Sequence, residues 1–107
     1  MKSIIVSIVT ATSIVIAGGA MATDMPDIAK KYGCSNCHNI EKGRSVGPAW
    51  RDVANKYKGD AGAVAHLKTK IVYGGGGVWG VIPMPNIPNI NDQEVSELIT
   101  FILGLAK

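Results

Sequence analysis

Apolar residues recur at helical spacing in separate stretches of the 107-residue chain, with polar and turn-forming residues between them. Trp50, Val53, Ala54 and Tyr57 follow the i, i+3, i+4, i+7 order that puts side chains on one face, which predicts a helix over 48–57 stopped by Gly59. Val64, Leu67 and Ile71 form a second stripe, predicting a helix capped by Asp60 and running to about Tyr73. Val95, Leu98, Ile99 and Ile102 form a third. Its start is marked by Asn91 with Glu94 three residues on, a capping-box pattern, and Gly104 lies near its end. A shorter helix is expected through Tyr32, where Ile28 and Tyr32 share a face, with Asp24 as its cap and Gly33 as its stop. No run alternates as a strand. The stretch 74–91 holds five glycines and three prolines, which excludes regular structure there. The pattern predicts an all-α protein of about four short helices with one long irregular loop late in the chain.

The apolar run Ile4–Ala17 does not fit that scheme. It follows Lys2 and leads to Ala20-Met21-Ala22, the small-residue pattern of a secretory cleavage site. Residues 1–22 therefore read as a signal peptide and 23–107 as one domain. The run is also shorter than the ~20 apolar residues of a comfortable membrane span, so no membrane attachment is expected once it is removed. Loss of Lys2 takes the formal charge from +3 to +2. With no basic run carrying interleaved aromatics, nucleic-acid binding gets no support. A domain this small has a marginal core and usually needs a staple.

The stretch GCSNCHN, residues 33–39, supplies a candidate. It contains both cysteines of the chain, Cys34 and Cys37, followed directly by His38. In an oxidising compartment a Cys34–Cys37 disulfide is the plain alternative, though it would close only a tiny loop. A redox dithiol would be expected in a βαβ setting, which the pattern lacks. Zinc could draw on Cys34, Cys37, His38 and His66, but structural zinc sites rarely place Cys and His side by side. Cys-x-x-Cys-His is the attachment sequence of c-type haem. Two thiols two residues apart suit the haem's two vinyl groups, and the next residue falls beneath the iron. Covalent attachment prevents loss of the cofactor after export and adds apolar mass to a small core. Of the methionines beyond the signal segment, Met25 reads as surface or packing. Met84 stands between Pro83 and Pro85, which stiffen its backbone and make it the candidate second ligand of the iron.

GCSNCHNI, VGPAWRDVANKY and GVWGVIPMPN together resemble the small single-haem class I bacterial cytochromes c of the c-551/c-552 type. The resemblance runs from about Asp24 to Lys107. It implies the cytochrome c fold, with the first and last helices crossing over one haem c and its iron. By resemblance, Cys34 and Cys37 take the thioether positions, His38 the proximal ligand and Met84 the distal ligand. Pro48 matches the proline whose carbonyl accepts the proximal histidine's other N–H, and Trp79 the tryptophan whose indole N–H reaches a haem propionate. Lys70 stands near a family arginine that holds a propionate, and offers a point charge in place of a fork. The family's Met-Pro-Pro-Asn becomes Met84-Pro85-Asn86-Ile87-Pro88-Asn89, so the hydrogen bond near the methionine sulfur passes to Asn86 or Asn89. Ala29 stands where relatives often carry a bulkier residue.

His66 lies one residue off its helix stripe and reads as an exposed histidine. Lys30, Lys31, Lys42, Lys56, Lys58, Lys68 and Lys70 form either a solvated face or a ring that steers acidic partners. The expectation is an electron carrier rather than an enzyme, working in the periplasm as a monomer. The resemblance suggests a quinol-oxidising complex as its donor and a nitrite reductase or an oxidase as its acceptor. A cytochrome with an open distal site, binding ligands or peroxide, is the alternative if Met84 is not on the iron. A haem-free dithiol protein is the third.

Overall fold

The computed structural model describes residues 24–41 and 43–107, so the expected signal segment 1–22, with Thr23 and Lys42, lies outside the described residues. Four α-helices follow in order: α1 Asp27–Lys31, α2 Trp50–Lys56, α3 Ala63–Tyr73 and α4 Asp92–Leu103. Among the described residues there is no strand, only a single antiparallel bridge between Gly75 and Met84. No described helix is long and apolar enough to cross a membrane.

The core is one cluster centred on α4. Val95, Leu98, Ile99 and Ile102 are all buried, as the stripe predicts. Its start is also as expected: Asn91 accepts the Glu94 N–H at 2.8 Å while Glu94 reaches back to the Asn91 N–H, a full capping box. Glu94 has a further task. Its carboxylate takes the Tyr32 hydroxyl at 2.6 Å and the Lys31 ammonium at 3.0 Å, which ties α1 across α4. These partners, the Tyr32 hydroxyl first, hold the Glu94 carboxyl below its ordinary pKa. Ala29, the small residue of α1, is fully buried.

Three boundaries differ from the pattern, each for a local reason. Asp24 does not cap α1. Pro26 stands at the cap position with its φ at −66°, and its carbonyl takes the Ala29 and Lys30 N–H groups. Asp60 does not cap α3 either: its side chain accepts the Gly62 N–H at 2.7 Å in a turn ahead of the helix, and Gly62 is the cap. The buried stripe of α3 is then Ala63, Leu67 and Ile71, while Val64 is 56% exposed. A 3.6-residue period admits either i−4 or i−3 before Leu67, and the fold buries Ala63 and leaves Val64 outside. Finally, α2 begins at Trp50 rather than Pro48. Its first free N–H groups are satisfied by the chain leaving the cysteine motif: Trp50 donates to the Asn39 carbonyl at 2.8 Å and Arg51 to that of Ile40 at 2.9 Å.

Arg51 extends this link. It donates to the Leu105 carbonyl and to the Glu41 carboxylate, each at 2.5 Å. The end of α4 is thereby tied to α2 and to the loop beyond the motif.

Candidate functional site

Gly33 closes α1 in the left-handed conformation, φ +73°, a conformation that glycine adopts without strain. The chain then makes a short 3₁₀ turn over Cys34–Asn36, in which the Cys34 carbonyl accepts both the Cys37 and the His38 N–H groups, at 3.1 and 2.9 Å. One tight turn thus gathers Cys34, Cys37 and His38 on a single wall. Both cysteines are free thiols, and burial pushes the Cys34 thiol pKa up.

His38 is seated from three directions. Its Nδ1 lies 2.8 Å from the Pro48 carbonyl. A carbonyl only accepts, so Nδ1 carries the proton, and Nε2 keeps its lone pair. The Pro48 carbonyl is available because α2 starts two residues later; had Pro48 been inside the helix, that oxygen would have entered the i→i+4 ladder. The ring also packs at 5.7 Å on Trp50, which meets Phe101 of α4 edge-on at 5.9 Å. On its third side stands Gly47, where a Cβ would fall 2.7 Å from His38 Cε1. Burial lowers the imidazole pKa, and the Pro48 bond opposes this in part. A neutral imidazole with a free Nε2 is the form that binds a metal.

This wall and the glycine-rich loop that follows α3 line the same apolar cleft, of about 1020 Å³ with its open mouth included. Met84 from that loop, the cysteines and His38 all line the cleft, as do Pro48, Lys70 and Trp79. The residues singled out by sequence therefore converge on one cavity. Two thiols, an imidazole and a thioether lining one cleft with apolar walls fit a covalently held haem. The zinc set is not assembled: among the described residues no group of three His, Cys, Asp or Glu side chains could share a metal ion. Met25 packs at the edge of the core, away from the cleft.

Other placements were not expected. His66 is half-buried rather than exposed. It lines the cleft, with its Nε2 3.0 Å from the Tyr57 hydroxyl and the two rings 5.2 Å apart. The reason is the reach of the Tyr57 side chain, one residue past the end of α2, to His66, which helical periodicity within α3 does not report. Arg44 donates to the Trp79 carbonyl and lines the cleft mouth. Lys56 sets its ammonium 5.8 Å from the Trp79 ring centre. Neither pairing has a sequence signal, since each joins segments far apart in the chain. Asn86 and Asn89 are exposed, and neither side chain hydrogen-bonds Met84. What holds Met84 is its own backbone: its N–H donates to the Gly75 carbonyl at 2.9 Å and its carbonyl accepts from Gly75 N–H at 3.0 Å.

Family and fold are shared with known proteins. Residues 18–106 match the family model described as Cytochrome c. The chain is 40% identical to cytochrome c-552 of Nitrosomonas europaea over 105 residues, covering 98% of this chain and 99% of the relative. It is 43% identical to cytochrome c-551 of Allochromatium vinosum over 94 residues, covering 88% of this chain and 97% of the relative. The crystal structure of the wild-type Nitrosomonas europaea protein superposes with a TM-score of 0.69 at 44% identity, over 74% of this chain and 96% of that one.

Proposed function

This chain belongs to the cytochrome c family, whose members are haem-bearing electron carriers rather than enzymes, and we propose that it works as a periplasmic carrier with His38 and Met84 as the two axial ligands. Bound haem c supplies reversible one-electron exchange at its iron. The chain's residues supply the rest. Cys34 and Cys37 anchor the group through thioethers. Pro48 keeps the His38 Nδ1–H engaged and so presents Nε2. The Met84 thioether favours the reduced state and raises the potential, and the apolar walls act in the same direction. With His38 and Met84 both bound to it, the iron would have no position open to a substrate, and the chemistry left to it would be one-electron exchange. The Trp79 indole N–H and the Lys70 ammonium, both on the cleft lining, are the groups available to carboxylates of the cofactor.

The cleft mouth suits transient docking. Val46, Val78 and Ile82 are each at least 45% exposed on its rim, beside the cations Arg44 and Lys70. An apolar rim with basic neighbours favours an acidic partner at low ionic strength. The reading is a monomer that takes electrons from a quinol-oxidising complex and passes them to a nitrite reductase or an oxidase.

The observation that carries this reading is that Cys34, Cys37, His38 and Met84 line one apolar cleft together. Met84→Ala tests it. The haem should stay covalently attached, the weak red band of the oxidised protein should vanish, the potential should fall, and added imidazole or cyanide should bind readily. Met25→Ala is the matched control and should change none of these. A Met84→Ala protein that keeps the wild-type band and potential would give the distal position to another residue.

A further inference from the structure

The prolines beside Met84 restrict its own dihedrals, but they do not place it in space. Neither Pro83 nor Pro85 has an N–H. The segment 83–85 therefore offers one backbone donor, that of Met84, and the structure commits it to Gly75. The Met84 carbonyl returns to the same residue, so a closed two-bond bridge is the anchor of the segment. Its reference point is rigid. Gly74 N–H donates to the Lys70 carbonyl at 2.8 Å at the end of α3, and Ile87 N–H donates to the Val72 carbonyl at 3.3 Å. The bridge thus begins two residues beyond the last residue of α3.

This approach requires a glycine at 74. Its φ of 72° and ψ of −160° lie in a region that residues with a Cβ essentially do not occupy. A Cβ there would also fall 2.3 Å from the Met84 carbonyl oxygen and 2.9 Å from the Asn86 nitrogen. Both contacts are with backbone, which cannot swing aside. Gly75 is likewise at positive φ, 122°. Gly77 provides the contrast: it is also at positive φ, 101°, in the same loop, but nothing lies within 4 Å of its Cβ position and it makes no bond to Met84.

We infer that the Gly74–Gly75 dipeptide is the positioning element of the distal thioether, and that it sets how firmly Met84 is held against an incoming ligand. The inference rests on Met84 being the distal ligand. Gly74 and Gly75 act through Met84 and touch no reacting atom.

The test uses oxidised holoprotein and imidazole as the probe. Gly74→Ala should keep both thioethers, weaken the red band and tighten imidazole binding by about tenfold or more, as expected when a strained, clashing residue displaces the bridge. Gly77→Ala, also at positive φ but with no clash, should stay close to wild type in both readouts. Equal effects from the two variants would assign the result to general loop strain and overturn the proposal, as would a wild-type band and affinity in Gly74→Ala. If Gly74→Ala yields no holoprotein, amide exchange in the wild type decides. The Gly75 and Met84 N–H groups should exchange at least about tenfold more slowly than that of the exposed Gly76; equal rates would overturn the bridge. A wild-type protein with no red band would remove Met84 as ligand, and the proposal with it. That outcome is distinct from a normal wild-type band that Gly74→Ala leaves untouched.

Discussion

The two walls of the cleft hold their candidate ligands by different means. On the proximal wall, Cys34, Cys37, His38, Gly47 and Pro48 fall within fifteen residues of chain. There the ligand side chain itself is gripped: its ring nitrogen is bonded, one face packs on Trp50 and its edge meets a glycine. On the distal wall, Met84 lies far along the chain from His38, and among the described residues no side chain hydrogen-bonds its sulfur. Its hydrogen bonds are those of its backbone, to Gly75 just past the end of α3, and its side chain packs against the core. The candidate proximal ligand is thus oriented through its ring, whereas the candidate distal one is placed by its backbone bridge and by packing against the core. The distal bond should therefore be the one that opens first under heat, denaturant or a competing ligand.

The largest expected effect is on the proximal side. Cys34→Ser or Cys37→Ser should abolish the two-thioether product, which mass spectrometry and haem yield would report. A normal yield from either variant would break the assignment of that wall. Next comes Gly47→Ala, where the new methyl would press on the His38 ring. Overpacking of this kind costs about 1–3 kcal/mol, measurable by thermal or denaturant unfolding. Its spectral signature should differ from that of Gly74→Ala: the red band should survive while global stability falls. If Gly47→Ala instead releases Met84, the two walls are not independent.

A smaller change is expected for Tyr57→Phe, which removes the hydroxyl facing His66 Nε2. The net loss for such a bond is about 0.5–1.5 kcal/mol, with thioethers and red band unchanged.

Smallest is the acid response of the α1–α4 tie. Glu94 has its pKa depressed by the Tyr32 hydroxyl and the Lys31 ammonium. A carboxyl with a depressed folded-state pKa contributes its stability above its ordinary value of about 4.5, and that stability is lost as pH falls through the folded-state value. Tm of Glu94→Gln should therefore lie below wild type at pH 7, and the gap should close towards pH 3. A gap that does not change with pH would leave only the neutral capping role.

Much of this was legible in the residue order. The stripe and capping box of α4 use contacts three and four residues apart, and the 3₁₀ turn that gathers Cys34, Cys37 and His38 is likewise local. The flanking prolines single out Met84 and the family resemblance brings in Pro48 and Trp79, and the cleft contains all three. Misread features share one trait. Val64 was placed inside and His66 outside because a helical period gives a face but not which neighbour will cover it. Asp24 and Asp60 were read as caps because their residue type suits a cap, while Pro26 and the Asp60 turn took the helix starts instead.

By itself, then, the sequence determined the chemistry of the cofactor wall: residues a few positions apart meet whatever the rest of the chain does, because peptide geometry leaves them little choice. Tertiary structure alone decided that α2 would start late enough to free the Pro48 carbonyl, and that Tyr57 would reach His66. It also decided that Gly75 would meet Met84. Each of these joins segments whose separation is bridged only when α2, α3 and the loop pack against α4, so the information lies in how packed surfaces meet and not in any spacing along the chain.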